Sequence, residues 1–246
     1  MSTPKPSLPA PRDDRRPKGY FAQSQDLLNS LVLVLPLLLI YEVGLLTGVS
    51  NPNGVDFLTV FLAAQWGATG LFVFNGVLLA AGGIGIYFLK AKGRLNPKIM
   101  LPLVIESTVY AIFLGTIILT VMRQLGITPE AVAAGGAQKG LLDAICVSLG
   151  AGVNEELVFR LVLFSGIALA LGKLGIPRPA AIATAVIVSS ILFSVAHYFG
   201  PNESFAMFTF VYRFLAGALF CGLFAARGFA VAVYTHAIYD IIVLTF

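Results

Sequence analysis

The strongest constraint on this chain is a series of apolar segments, each about 20 residues long, that recur from residue 27 onwards. A helix of that length crosses the roughly 30 Å of hydrocarbon in a bilayer. Charged residues make up only 11% of the sequence. In a typical soluble domain they make up about 25%. Since lipid offers the backbone no hydrogen bonds, the sequence predicts an all-α, polytopic transmembrane helix bundle.

We predict an integral membrane domain over residues 27–246 with about seven spans. The first span is too long for the core of a signal peptide and lacks a small-residue cleavage pattern, so we interpret it as retained. Residues 1–26 are rich in proline, serine and charge, which is typical of a disordered basic arm. The predicted spans are 27–46, 69–89, 101–122, 140–171 with an interruption, 180–199, 205–226 and 229–246.

The basic residues predict the orientation of these spans. Most of the 16 Lys and Arg residues lie in the arm and in the second, fourth and sixth connections. Positive charge near span ends is retained in the cytoplasm. We therefore predict a cytoplasmic N-terminus and an outside C-terminus, in what the compact size suggests is a bacterial inner (plasma) membrane. Membrane orientation explains the positions of the basic residues, so no nucleic acid is predicted as a partner.

The interruption in the fourth segment lies around Gly150 and Gly152. Asn154 follows, and Glu155 and Glu156 come next, which is typical of a helix N-cap with acids in the first turn. A helix that restarts at Asn154 would cross the membrane by itself. The preceding residues 141–149 would then form a short re-entrant or interfacial segment.

Two adjacent carboxylates in an apolar segment need partners, because one acid at a helix centre costs roughly 2.5–3.5 kcal/mol. Arg160 follows Glu156 by four residues, so the two can form an ion pair on one helix face. Glu155 points about 100° away and is predicted to face a reaction centre. The alternative is that all three residues form a structural ion-pair cluster.

Both histidines of the chain lie in apolar spans near acids. His197 follows Phe193 by four residues, and His236 precedes Asp240 by four. Residues four apart share one helix face, so His236 and Asp240 can point into the same cavity. An isolated histidine in a membrane is often only a packing residue, but here every histidine has this placement.

Three motifs resemble those of the CAAX protease and bacteriocin-processing family, called Abi in bacteria. They are Glu155-Glu156-x-x-x-Arg160, Phe193-x-x-x-His197 and His236-x-x-x-Asp240, in this order. The resemblance covers about residues 141–243. It implies an all-helical intramembrane endopeptidase that cuts near the C-terminus of a membrane-associated peptide or protein.

The resemblance also implies catalytic roles. Glu155 would activate water, His197 would assist, and His236 with Asp240 would stabilise the oxyanion. Many relatives have Asn at the last position, and an ionised Asp cannot donate a hydrogen bond. Either burial keeps Asp240 protonated, or Asp240 orients His236, which donates; we favour the second. Glu156 and Arg160 are predicted to support the helix.

Zinc is the main chemical alternative. Glu155, His197 and His236 could supply three ligands and leave one position open for water. The chain contains no HExxH motif, and the resemblance favours a mechanism without a metal, so no cofactor is the first expectation.

Three further charged residues lie in apolar spans: Glu42, Glu106 and Arg213. Glu42 and Glu106 are predicted either to line a substrate groove or, equally, to form interhelical hydrogen bonds. Arg213 is predicted to belong to the same groove and either to pair with a carboxylate or to contact a substrate terminus. Two other functions stay open. A proton-coupled transporter would show inverted repeats, and we find none between 27–122 and 141–246. A non-catalytic scaffold or immunity protein is compatible with every motif residue.

The predicted topology places Glu155 and His197 in the outer half of the membrane. A cavity that opens outwards would suit trimming of C-terminal sorting or anchoring tails of exported proteins.

Overall fold

The structure is a computed structural model that describes residues 19–49, 57–91, 96–128, 140–199 and 204–245. Within these residues the chain is helical and has no strand. The elements are α1 (Tyr20–Gln25), α2 (Leu27–Leu46), α3 (Phe57–Ala91), a 3₁₀ turn (Pro97–Ile99), α4 (Met100–Gln124), α5 (Leu141–Glu155), a π-helix (Glu156–Phe164), α6 (Ser165–Lys173), α7 (Arg178–Ala196), α8 (Met207–Arg227) and α9 (Phe229–Thr245).

Among the residues that the structure describes, four helical segments are long and apolar enough to cross a bilayer. They are Leu27–Leu46, Pro97–Gln124, Arg178–Ala196 and Met207–Arg227. Two shorter apolar helical segments are Phe72–Phe88 and Phe229–Thr245. The all-helical membrane architecture predicted from the sequence is therefore confirmed, whereas the number of seven crossings stays a prediction.

Helix α9 lies at the centre of the bundle and contacts α2, α4, α5 and α8. All nine residues from Phe229 to Ala237 are buried. Five of them are alanine or valine, whose small side chains let neighbouring helices approach closely. Because His236 lies in this central segment, its position depends on four surrounding helices.

The outward faces of several helices are apolar. Helix α4, for example, exposes one row of large side chains while its opposite face is buried. A bilayer tolerates such a surface, whereas water would not. The exposed row on α4 includes Leu101, Ile105, Ile112 and Phe113.

The last residues of the predicted disordered arm are ordered. Residues 1–18 lie outside the described part of the chain, but Tyr20–Gln25 forms helix α1. This part of the prediction is wrong because α1 packs against the turn between α8 and α9. A Cβ atom at Gly228 in that turn would lie only 2.5 Å from the Ser24 carbonyl oxygen. Asp26 then caps α2, since its side chain accepts a hydrogen bond from the Asn29 amide.

The second predicted span begins too late. Helix α3 starts at Phe57 and contains a kink at Gly67, where φ is 56° and ψ is −145°. Only glycine adopts this conformation at little cost. The predicted segment 69–89 is the part of α3 that follows the kink.

A charged cluster joins α1, α4 and the end of α8. Arg227 donates two hydrogen bonds to Glu106, with distances of 2.5 Å from Nε to Oε1 and 2.9 Å from Nη2 to Oε2. The hydroxyl groups of Tyr20 and Tyr110 donate to the same carboxylate. Burial, and then the hydrogen bond to Glu106, raise the pKa of Tyr20 above its ordinary value, so this hydroxyl remains a donor.

We expect Glu106→Gln to lower the free energy of unfolding by roughly 2 kcal/mol, because Arg227 would lose its anionic partner in a site with little water. Thermal unfolding of the purified protein in detergent measures this change. Arg123→Gln is the matched control, since Arg123 is exposed on the same helix. An equal shift in both variants would show that the cluster contributes nothing specific.

Candidate active site

The helix that contains the two adjacent glutamates is continuous. Helix α5 runs through Asn154 to Glu155 and passes directly into the π-helix, with helical backbone angles at both glutamates. The predicted N-cap at Asn154 is therefore wrong, and residues 141–149 are not a separate re-entrant segment. The two glycines that suggested an interruption before Asn154 are explained by the close packing of α5 against α2 and α9.

The two glycines before the glutamates allow close contact between helices. A Cβ atom at Gly150 would lie 2.4 Å from the Tyr41 ring on α2. A Cβ atom at Gly152 would lie 2.9 Å from Ala237 on α9. Both glycines are thus required for packing, since any side chain there would push α5 away from its neighbours.

A π-helix replaces the predicted α-helical turns after Glu155. Its i→i+5 pairing is rare and often occurs at functional sites. Two of its carbonyl groups receive side-chain hydrogen bonds: the Ser189 hydroxyl donates to the Phe159 carbonyl at 2.6 Å, and the Ser165 hydroxyl donates to the Arg160 carbonyl at 3.0 Å. These bonds compensate for the altered backbone pairing.

Glu156 is fully buried and has two basic partners. Arg160 Nη1 lies 3.0 Å from Glu156 Oε1, which confirms the predicted ion pair. His236 Nδ1 lies 2.8 Å from the same oxygen and donates to it. Arg160 also donates from Nη2 to the Gly217 carbonyl at 3.5 Å. Glu156 therefore connects the π-helix to α9.

Aromatic rings surround these charges. The Arg160 guanidinium carbon lies 4.3 Å from the centroid of Phe193 and 5.2 Å from that of Phe220. The His236 ring stacks on Phe220 with centroids 4.6 Å apart and an interplanar angle of 18°. Phe193 contacts His197 edge-on at 4.8 Å between centroids. The rings fix the imidazole planes and exclude water from the Glu156–Arg160 pair.

Glu155 lies between the two histidines. Its Oε2 atom is 3.7 Å from Nε2 of His197 and 3.7 Å from Nε2 of His236. The prediction that Glu155 faces a different direction from the ion pair agrees with this geometry. His197 and His236 are equally close to Glu155.

The opposite ring nitrogens determine what each histidine presents to Glu155. His197 Nδ1 lies 2.8 Å from the Phe193 carbonyl oxygen, which can only accept, so Nδ1 carries the proton. His236 Nδ1 donates to Glu156 in the same way. A neutral imidazole then has a lone pair at Nε2. Both Nε2 atoms therefore face Glu155 as acceptors, or as donors after protonation.

Asp240 lies at the edge of this group. Its Oδ2 atom is 3.5 Å from His236 Nε2. The shorter bond from His236 goes to Glu156, so Glu156 orients the ring, which we had expected of Asp240. A helix turn places Asp240 beside His236, but only the tertiary packing brings in Glu156.

The exposed fraction differs among the four predicted catalytic side chains. The side chains of Glu155 and His236 are 5% exposed, whereas those of His197 and Asp240 are 23% and 26% exposed. His197 follows the last residue of α7, and Asp240 lies in the second half of α9. Access to Glu155 is therefore from the side where these two residues lie.

The predicted groove residues lie in different places. Glu106 belongs to the cluster with Arg227. Arg227 lies about 20 Å along α8 from Arg213, at 1.5 Å per residue. Glu106 thus makes the hydrogen bonds between helices that were its alternative prediction. Glu42 lines an apolar cavity of about 410 Å³ between α2 and α3, and none of the four predicted catalytic residues lines that cavity. Arg213 lies near the site, with its guanidinium 5.1 Å from the Tyr198 ring centroid.

Sequence reasoning missed Ser189 and Phe220. Phe220 is one of 19 phenylalanines, and nothing in the sequence separates it from those that face lipid. Ser189 belongs to a pair of serines in an apolar span, a weak sign of a polar contact.

The zinc alternative requires a suitable ligand group. Within the described ranges, no group of three or more His, Cys, Asp or Glu side chains is arranged to hold a metal ion. The zinc ligand set of Glu155, His197 and His236 stays an alternative prediction, and no step below uses a metal.

Comparison with known families identifies the region that contains the site. Residues 137–242 match the family model described as type II CAAX prenyl endopeptidase Rce1-like. This match confirms the resemblance indicated by the three motifs. No curated protein and no solved structure matches the chain.

We expect Ser189→Ala to lower the free energy of unfolding by about 1–3 kcal/mol, because the buried Phe159 carbonyl of the π-helix would lose its donor. Thermal unfolding in detergent measures the change. Ser190→Ala is a close control: Ser190 is equally buried, and its hydroxyl has no hydrogen-bond partner among the described residues. Equal destabilisation by both changes would contradict the role of Ser189.

Proposed function

We propose that this chain is a glutamic intramembrane endopeptidase, which hydrolyses a peptide bond near the C-terminus of a membrane-associated peptide or protein. The observation that carries this proposal is the position of Glu155 Oε2, at 3.7 Å from Nε2 of both His197 and His236. The peptidase family of residues 137–242 supports the reaction class.

Glu155 is placed to activate water. Its Oε2 atom is buried and has no hydrogen-bond partner in the described part of the chain. The distance of 3.7 Å to each histidine exceeds that of a direct hydrogen bond, about 2.7–3.2 Å, so a water molecule can bridge these atoms. Such a water donates one hydrogen to Glu155 and the other to His197 Nε2. A base within hydrogen-bond reach of its proton meets the geometric requirement for catalysis.

Hydrolysis then follows in two steps. Glu155 takes a proton from water as the water oxygen bonds to the substrate carbonyl carbon, which gives a tetrahedral intermediate. The C–N bond breaks as Glu155 returns this proton to the leaving nitrogen. The products are a carboxyl group and an amine, and the enzyme recovers its initial charge.

His236 is suited to stabilise the oxyanion. When protonated, it donates from Nε2 while Nδ1 remains bonded to Glu156. Glu156 and Asp240, at 2.8 Å and 3.5 Å from the two ring nitrogens, both favour the imidazolium by their charge. An imidazolium supplies the donor that an Asn amide would supply at position 240.

The direction of access favours an exported substrate. His197 and Asp240, the more exposed members of the site, lie towards the ends of α7 and α9. The predicted orientation, with a cytoplasmic N-terminus, places these ends on the outer side of the membrane. Trimming of C-terminal sorting or anchoring tails of exported proteins is consistent with such a site.

We expect Glu155→Gln to reduce peptide cleavage by about 10²–10⁴-fold, because the amide cannot accept the proton of water. His197→Gln should also reduce cleavage strongly. The assay uses the full chain in detergent and a pool of quenched fluorescent peptides with apolar C-terminal segments. Asp143→Asn is the matched control, since it makes the same chemical change on α5 about 18 Å away at 1.5 Å per residue.

The same assay separates the rival functions. Cleavage that persists in both active-site variants would refute the proposed mechanism, and its loss on addition of a chelator such as 1,10-phenanthroline would favour zinc. Absence of cleavage by the unchanged protein would favour a scaffold, an immunity protein or a transporter.

We expect opposite accessibility at the two ends of α7. Phe199, at the end near the site, is 73% exposed, and Leu174, before the start of α7, is 77% exposed. In cells, a membrane-impermeant maleimide should label Phe199→Cys directly and Leu174→Cys only after permeabilisation. Cys146 and Cys221 are buried and can be replaced by alanine to remove background. The reverse pattern would place the site on the cytoplasmic side.

A further inference from the structure

We propose that Phe220 is a positioning residue for catalysis: the face of its ring stabilises the positive charge of His236 when that side chain donates to the oxyanion. This role rests on the proposed function, in which His236 is the oxyanion donor. It adds an aromatic side chain on a separate helix as the group that keeps this donor charged.

The stacking of the two rings is the first observation. The imidazole of His236 lies nearly parallel to the phenyl ring of Phe220, with an interplanar angle of 18° and 4.6 Å between centroids. Phe220 lies on α8 and is only 1% exposed. The face of a phenyl ring is electronegative and attracts a cation within about 6 Å of its centroid, more strongly where water is excluded. The stacked ring therefore favours the imidazolium over the neutral imidazole.

The second ring beside His236 is arranged differently. The centroid of Phe193 lies 6.1 Å from that of His236, at an interplanar angle of 68°. Phe193 is also closer to another cation, because the guanidinium carbon of Arg160 is 4.3 Å from its centroid and 5.2 Å from that of Phe220. Of these two rings, Phe220 is thus the one that stacks on His236.

The charged groups around His236 also favour a cation at this position. Carboxylate oxygens of Glu155 on α5, Glu156 on the π-helix and Asp240 on α9 lie 3.7 Å, 2.8 Å and 3.5 Å from its ring nitrogens. Arg160 on the π-helix is paired with the same oxygen of Glu156. Three carboxylates thus surround one guanidinium and the imidazole, so an imidazolium reduces the excess of negative charge.

Other charged or titratable side chains on the elements near α9 have different contacts. His197 follows α7 and lies beside the Oε2 atom of Glu155. Arg213 on α8 packs over another aromatic ring. Glu42 on α2 lines a separate cavity, and Glu106 on α4 belongs to the cluster at the other end of the bundle. Among the described residues, the charge of the imidazole thus depends mainly on the three carboxylates and on the ring stacked against it.

The stacking affects catalysis because a neutral His236 cannot donate from Nε2. Its Nδ1 atom donates to Glu156, so a donor at Nε2 requires a second proton on the ring. A ring face that stabilises the cation keeps this proton in place as the pH rises. Activity should therefore persist to a higher pH than it would without the ring face.

Packing alone is the competing explanation for Phe220. Phe220→Leu would remove the ring face, but it would also leave space in the core, so its effect would not separate the two roles. Fluorine atoms on the ring withdraw electrons from its face and nearly preserve its shape. A series of phenylalanines with one, two and three fluorine atoms therefore weakens the attraction to a cation step by step.

The experiment incorporates this series at position 220 of the full chain by nonsense-codon suppression and measures kcat/KM for the peptide pool across a range of pH in detergent. We expect the decline in activity at high pH to move to lower pH with each fluorine, by about 0.5–1.5 pH units for the trifluorinated ring. The rise in activity at low pH, which reports Glu155, should be unchanged. The same series at Phe224 is the matched control and should shift neither limb, because Phe224 lies one helical turn further along α8 and contacts Phe164 edge-on at 6.0 Å.

Each other outcome contradicts the role of Phe220. An unchanged decline at high pH, or a loss of activity by the same factor at every pH, would identify Phe220 as a packing residue, while the proposed function would stand. An equal shift in the Phe224 series would be a general effect of fluorine. If the unchanged protein cleaves no peptide at any pH, the proposed function itself fails. The activity of each variant at low pH also shows whether that variant is folded.

Discussion

The buried carboxylate of Glu156 is the interaction on which the rest of this site depends. Its Oε1 atom is 3.0 Å from Arg160 and 2.8 Å from His236. A charge in the interior of a membrane protein persists only with partners of opposite charge or strong donors. Since Arg160 lies on the π-helix and His236 on α9, this one carboxylate fixes two helices relative to each other.

Two features of the packing make that contact attainable. Glycines at positions 150 and 152 let α5 lie directly against Tyr41 and Ala237. After Glu155, the π-helix has more residues per turn than an α-helix, so its successive side chains diverge less in direction. Glu155 and Glu156 can then both point inwards, towards different atoms of His236. The Ser189 hydroxyl supports this unusual backbone through the Phe159 carbonyl.

The two adjacent glutamates have different environments, which gives them different chemical roles. Glu156 is neutralised by Arg160 and enclosed by the rings of Phe193 and Phe220, so it has no access to a substrate. Glu155 faces the more distant Nε2 atoms of His197 and His236 and lies next to the partly exposed residue His197. In the proposed mechanism, a structural acid and a reactive acid thus occupy consecutive positions of one helix.

The opposite end of the bundle holds α9 in place. The cluster of Glu106 and Arg227 lies at the end of α8, immediately before Gly228 and the start of α9. Helix α1 covers this turn, with Ser24 in close contact with Gly228. The central helix that carries His236 is therefore fixed at its first residue as well as at the site.

The sequence by itself determined that the protein lies in a lipid bilayer, that it is all-helical and that Glu156 pairs with Arg160. Each follows from local order: apolar runs of about 20 residues require helices that span lipid, and residues four apart share a helix face. The three motifs also indicated the family resemblance that the match over residues 137–242 confirms.

Only the tertiary structure decided which partner each polar group has. The sequence predicted a helix start at Asn154 from two glycines and two acids, but contacts with α2 and α9 explain those glycines and the helix continues. It left Glu106 either in a groove or in hydrogen bonds between helices, and the structure shows that Arg227, 121 positions away, binds it at the other end of the bundle. The orientation of His236 by Glu156, across 80 positions, was equally beyond local reasoning. Such pairings depend on how helices pack, and in an apolar sequence little distinguishes one helix face from another before the helices meet.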